Sequence, residues 1–199
     1  ISSLSSYVLI SLGRQPMALT AAYRYLVLGT VGATFYLIGV GLLYQATGTL
    51  NIADLATRVA ELTESRSVRA AFAFMTVGIG IKLALFPLHI WLPNAYAYAP
   101  SVSSAFLAAT ATKVSIYVLI RVFYTIFGPA FSFETLPLDW VLLPLAIIAM
   151  FVGSTIAIFQ FDIKRMLAYS SVAQIGYMIV GVSLVSVLGM TRSEEHTSE

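Results

Sequence analysis

Two lysines stand where an apolar chain would not ordinarily carry charge. Lys82 lies within AFAFMTVGIGIKLALFPLHIWL and Lys113 within SVSSAFLAATATKVSIYVLIRVF. Lys82 follows Arg69 by 13 residues and Lys113 follows Ser101 by 12, which on an ideal helix is about 20 Å and about 18 Å along the axis. Both depths fall too near the middle of a bilayer for easy snorkelling. If their helices run antiparallel, the two ammonium groups come to similar depth and can face one cavity. Desolvation disfavours the charged form of each, and a second cation nearby adds repulsion. A proton held on such terms responds to any neighbouring charge, which is the chemistry of a proton relay. The competing reading gives each lysine an acid or carbonyl partner and makes it a lock between two helices. Ionisable groups inside membrane helices are more often functional.

Other residues cluster around these two. Tyr117 and Arg121 follow Lys113 at four and eight residues, so the three share one helical stripe. Arg121 can set the field along a channel or reach to headgroups. Thr110, Thr112 and Ser115 add hydroxyls that can hold water or bond back to their own helix. Pro87 removes an amide donor within FPLHIWLP, so a helix break is expected there; in a membrane such breaks line hydrated cavities. His89 is seven residues past Lys82. On a continuous helix it would share the lysine's face, as a proton carrier towards the rim or as an interfacial histidine beside Trp91.

The elements that must position these groups are long and apolar. Hydrophobic residues make up 59% of the 199, charged residues 10%, and mean hydropathy is +0.88, whereas soluble domains are roughly 25% charged. Five stretches reach the ~20 residues a bilayer crossing needs: Tyr25–Ala46, Ala70–Trp91, Ser101–Phe127, Trp140–Phe161 and Ala168–Met190, with Ile1–Gly13 a partial sixth. They lack the in-out alternation of a barrel. The expected fold is an all-α, polytopic transmembrane helix bundle, its glycines allowing close helix approach.

The loops sort by charge. Arg14, Arg24, Lys164, Arg165 and Asp162 fall on one side, a net +3; Asp54, Arg58, Glu61, Glu64, Arg66, Arg69, Glu134 and Asp139 fall on the other, a net −2. The first side is assigned to the cytoplasm. The 51–69 segment reads as an amphipathic or external connector opened by Asn51 or Asp54 as N-cap.

Much chemistry is excluded. The chain has no cysteine, so it has no disulfide, thiol nucleophile or cysteine-held cluster. No Walker or dinucleotide loop is present, no cofactor or metal site is expected in this chain, and redox catalysis must belong to a partner. Nucleic-acid binding is not indicated, because no basic run exceeds Lys164-Arg165. Ile1 opens inside an apolar run with no basic leader, so it reads as the cut end of a helix rather than a signal peptide. After Met190 the composition turns wholly polar. Arg192–Glu199, RSEEHTSE, resembles translated sequencing adapter, which leaves 1–191 as the fragment of interest and 192–199 as a non-native tail; a short native terminus is the alternative.

Taken together, IKLALFPLHIWLPNAYAYAPSVSSAFLAATATKVSIYVLIR (Ile81–Arg121), FDIKRMLAYSSVAQIGYM (Phe161–Met178) and YLVLGTVGATFYLIGVGLLYQATGTLNIADLA (Tyr25–Ala56) resemble the antiporter-like membrane subunits. That family is shared by NADH:quinone oxidoreductase, Mrp-type cation/proton antiporters and membrane-bound hydrogenases. The resemblance implies a partial antiporter-like protein, running from the family's fifth helix to its tenth, with a broken channel helix. It puts the channel lysine on Lys82 and the next helix's lysine on Lys113, expects the partner glutamate just before Ile1, and places the second half-channel in later helices. Asn94-Ala95-Tyr96-Ala97-Tyr98-Ala99-Pro100 departs from the Asp-Ala-His form of the respiratory members and is similar to the D-type member of Mrp sodium/proton antiporters. The implied role is proton translocation in a prokaryotic plasma membrane, beside other membrane subunits, with sodium as a candidate second ion. The alternatives are a proton-pumping respiratory or hydrogenase subunit and, in a different class, a structural membrane anchor.

Overall fold

A computed structural model describes residues 2–136 and 138–197, with side chains described as far as Leu184 apart from those of Ser2 and Glu134. Among the described residues every regular element is helical: α1 (Ser2–Ser11), α2 (Met17–Thr47), α3 (Ile52–Glu61), α4 (Arg66–Leu83), α5 (Trp91–Tyr98), α6 (Ser101–Arg121), α7 (Asp139–Ile158) and α8 (Ile163–Thr197), with π-helical segments at Val122–Ile126 and Ala130–Thr135. Met17–Thr47, Ser101–Ile126, Asp139–Ile158 and Ile163–Leu184 are each long and apolar enough to cross a membrane. The adapter-like tail, 192–199, lies outside the described side chains, as does Glu134.

Small residues set the spacing of the helices. A Cβ built on Gly78 of α4 would lie 2.6 Å from the Gly32 carbonyl oxygen and 2.7 Å from the Tyr36 nitrogen of α2. On the other pair, a Cβ on Gly176 of α8 would meet the Ala146 oxygen of α7 at 2.8 Å. In lipid, where burying apolar surface between helices gains little, such backbone approach supplies the packing. One end of the bundle is closed by aromatics: Phe72 contacts Phe123, Phe127 and Phe131 with ring centroids 5.4, 4.8 and 5.6 Å apart. The Tyr124 hydroxyl donates to the Val182 carbonyl at 2.9 Å, pinning the π segment to α8. The π-helical turn over 122–135 goes beyond what the hydropathy pattern predicts, which is a span ending at Phe127.

The connector forms as expected. Asn51 caps α3, its side-chain oxygen accepting from the Ala53 N–H at 3.0 Å, and α3 buries Leu55 and Val59. Arg58 pairs with Asp54 at 3.0 Å and donates to the Thr47 carbonyl at 2.8 Å, closing the end of α2. The neighbouring guanidinium and the Thr49 hydroxyl hold the Asp54 carboxyl below its ordinary value. At the opposite end, Lys164 Nζ donates to the Ala99 carbonyl at 2.9 Å, tying α8 to the end of α5. Arg24 and Tyr98 share a notch there. The two charge groups thus occupy opposite ends of the bundle.

The third span is not continuous. α4 stops at Leu83 and Ala84 turns left-handed at φ 60°, so Pro87 does not end the helix at its own position. The reason is steric: in a helix the Pro87 ring would strike the carbonyl four residues back, that of Leu83, and could not bond to it. The turns over 84–90 follow, and the chain re-enters a helix at Trp91.

Candidate functional site

Lys82 occupies the last turn of α4, half-buried. Helix ends leave carbonyls without intrahelical partners and carry the negative end of the dipole, so an ammonium there is favoured electrostatically. The freed carbonyls are partly used: Leu85 N–H donates to Gly80 at 2.9 Å and Ala84 N–H to Ile81 at 3.2 Å. The Trp91 indole N–H, from the far side of the break, also donates to the Ile81 carbonyl at 2.9 Å. Trp91 is buried and meets the Tyr25 ring edge-on, centroids 5.1 Å apart. One side chain therefore ties α5, α2 and the residue before Lys82 together.

Lys82 lines a cavity of about 740 Å³ between α1, α2, α4 and α6. Its polar wall comes from Ser5, Ser6, Tyr25, Tyr36, Thr110 and Ser115; most of the rest is apolar. Among the described residues the ion pairs are Arg58–Asp54 and Arg69–Glu64, so Lys82 has no carboxylate partner there. A single cation in a mostly apolar cavity at a helix break can gather water around it.

The structure brings only some of the expected residues together. Thr110 and Ser115 line the cavity with Lys82, although their hydroxyls donate to Phe106 and Ala111 on their own helix at 2.8 Å. Lys113 does not line it. It lies on the exposed flank of α6 with Tyr117 and Arg121, so the three share the expected stripe, but Lys113 does not share a cavity with Lys82. Thr110, three residues before Lys113, stands between the cavity and that stripe.

His89 also sits apart from Lys82, because the helix that would have aligned them ends at Leu83. It is buried, stacked on Phe86 at 5.2 Å and edge-on to Tyr169 at 6.4 Å. Pro87 lies in the break but not in the cavity wall. Spacing and residue type do not single out Tyr25, Tyr36, Ser5, Ser6 or the structural use of Trp91. Gly29, Gly32 and Gly78 line the same cavity, and the close helix approach that such small residues permit is the signal the sequence carries.

Comparison with known proteins matches residues 1–195 to the family described as NADH:quinone oxidoreductase/Mrp antiporter, TM. The N subunit of the NADH-quinone oxidoreductase of Desulforudis audaxviator is 48% identical over 193 residues, 96% of this chain and 37% of that protein. The D-type member of the Na(+)/H(+) antiporter of Alkalihalophilus pseudofirmus is 36% identical over 189 residues, 94% of this chain and 37% of that one. The solved structure of the Mrp complex from Dietzia sp. is similar with a TM-score of 0.79 and 31% identity, covering 91% of this chain and 33% of that one. The chain thus spans little more than a third of the length of these relatives.

Proposed function

The chain belongs to the NADH:quinone oxidoreductase/Mrp antiporter transmembrane family, and from that premise we propose that its whole protein translocates protons as one membrane component of a multisubunit complex in a prokaryotic plasma membrane. The observation that carries this is Lys82: a lysine at the break of a helix, in a cavity, with no carboxylate partner among the described residues. α4 and α5 act as one broken crossing, and Lys82 accepts and releases the proton there. Lys113, reached past Thr110, is the next carrier, and Arg121 sets the field beyond it. His89, buried against Phe86 and Tyr169 beyond the break, is the candidate carrier on that side. The other membrane subunits supply any redox chemistry or sodium path.

Two assemblies fit this role. The Asn94–Pro100 segment supports the D-type place in a sodium/proton antiporter. The 48% identity to a respiratory relative, against 36% to an antiporter one, favours the respiratory assembly as the second reading. A purely structural anchor would lock Lys82 on an acid or a carbonyl; among the described residues no acid pairs with it, so that reading rests on the carbonyls at the end of α4.

The test is proton translocation by the full-length protein in its assembled complex, in sealed vesicles and normalised to the amount assembled. Lys82→Ala should lose about tenfold or more in flux. Lys82→Arg should lose as much, because a guanidinium keeps its proton near neutral pH. Wild-type flux in Lys82→Arg overturns the carrier role and leaves the anchor reading.

A further inference from the structure

We infer that the notch between the start of α2 and the end of α5 is a binding site for the phosphodiester headgroup of an anionic phospholipid. The notch, about 40 Å³, is lined by Met17, Thr20, Ala21, Arg24, Asn94 and Tyr98. Thr20 and Arg24 are one helical turn apart and so present their side chains to the same point.

The Tyr98 hydroxyl accepts from the Arg165 guanidinium, which also lies 5.3 Å from the centre of the phenol ring. That guanidinium's bonded partner is neutral, so its charge is uncompensated. Gly13 packs against the Tyr98 carbonyl, and the exposed Arg14 is next to it in the chain. Lys164 is spent on the Ala99 carbonyl at 2.9 Å. The one acid at this end, Asp162, already accepts from the Lys164 backbone N–H at 2.9 Å. Four cations and one acid leave a +3 excess around the end of α5. The Thr20 hydroxyl and the Asn94 amide add neutral donors to the same notch.

One guanidinium in the notch wall, a second on the Tyr98 hydroxyl beside it and the neutral donors between them match a phosphate oxygen set, for which guanidinium is well shaped. The choice of a lipid over a free anion rests on place. The notch sits where the apolar surface of the bundle ends. Val27 and Val31, one and two turns beyond Arg24 on its flank, are exposed and extend an apolar track for the acyl chains. Bound there, a lipid would bridge α2, α5 and α8 at the end of the broken crossing. The inference rests on the membrane-spanning fold and not on proton flux, and its readout is lipid contact alone.

The experiment uses the full-length protein in its complex, in phosphatidylcholine nanodiscs doped with a photoactivatable phosphatidylglycerol, with labelled peptides mapped by mass spectrometry. Labelling is expected on the segments around Met17–Arg24 and Asn94–Tyr98, and a photoactivatable phosphatidylcholine should label them several-fold less. Arg24→Gln and Arg165→Gln should each reduce labelling about fivefold, the weight of one basic residue at an anionic surface, while Arg24→Lys should retain most of it. Inorganic phosphate, against chloride at equal ionic strength, should leave labelling unchanged. Competition by phosphate would make this a free-anion site. Equal labelling by the two lipids, or a cross-link from the notch to an acidic segment of a partner subunit, would overturn the inference, and the lipid comparison on the unsubstituted protein holds even if a glutamine variant fails to assemble.

Discussion

At the scale of single residues, what distinguishes Lys82 from Lys113 is the backbone around each. Lys82 sits on an open helix end, where unpaired carbonyls and the negative pole of α4 offset part of the cost of a cation away from water. Lys113 is mid-helix, away from either end of α6, and it faces outward. A residue outside the spans gives a cleaner electrostatic test. Asp54 is held below its ordinary value of 3.8 chiefly by its hydrogen bond to Arg58, then by Thr49. A lowered carboxyl favours the folded state at pH above the unfolded value, and that contribution disappears as pH falls through the lower folded value. Carbon-13 NMR of the Asp54 carboxyl should give a midpoint below 3.8 that rises in Arg58→Gln; an unmoved midpoint would mean that the pair does not form in solution.

At the scale of elements, the break between α4 and α5 is held from both sides, and Trp91 is the strut. Its indole N–H fills the Ile81 carbonyl and its ring braces Tyr25. Trp91→Phe keeps an aromatic ring and removes the donor, so the Ile81 carbonyl beside Lys82 keeps only the longer bond from the Ala84 N–H and has a lone pair open to water. Assembly should persist while the pH profile of proton flux shifts; a lower flux with an unmoved profile would indicate loss of structure only. Helix contacts make a second forecast. Gly78→Ala places a methyl against the α2 backbone at 2.6 Å, an overpacking that costs about 1–3 kcal/mol, whereas a Cβ on Gly41 meets nothing within 4 Å. Thermal unfolding in detergent should fall by several degrees for the first and stay level for Gly41→Ala. The helices are legible in the sequence because hydropathy runs and their charged joins state them directly. Asn51 is legible as a cap for the same local reason. The stop at Leu83 needs one more step, the reach of the Pro87 ring back by four residues. The π turns at 122–135 are not legible, since they answer to the tertiary aromatic cluster on Phe72. The Lys82 cavity is half legible: spacing gives its depth, while its walls depend on which way each helix is rotated, and that is also why the sequence places Lys113 inside it.

At the scale of the whole molecule, alternation of the helices puts Arg14, Arg24, Lys164 and Arg165 at one end and α3 with the 122–135 turn at the other. Contacts across the bundle fix this arrangement, as Lys164 reaches Ala99 at one end and Tyr124 reaches Val182 at the other. They do not depend on charge counting, so only the choice of compartment rests on the basic excess. Lys and Arg resist crossing the membrane, and the end with the +3 sum should therefore face the cytoplasm. Two of the three opposing basics, Arg58 and Arg69, are each paired with an acid, which reduces their weight as a retention signal and leaves Arg66 against the four basics of the other end. Single cysteines can be placed at Gln15 and Thr135, both exposed and at opposite ends, in a chain that has none of its own. In intact cells a membrane-impermeant maleimide should label Thr135→Cys and leave Gln15→Cys unlabelled until the membrane is opened. The reverse pattern would keep the fold and invert its orientation, and with it the direction of proton entry to Lys82. Labelling of both from outside would contradict the bundle itself, because the notch that joins Arg24 to Tyr98 and the aromatic cluster on Phe72 could not then lie at opposite ends.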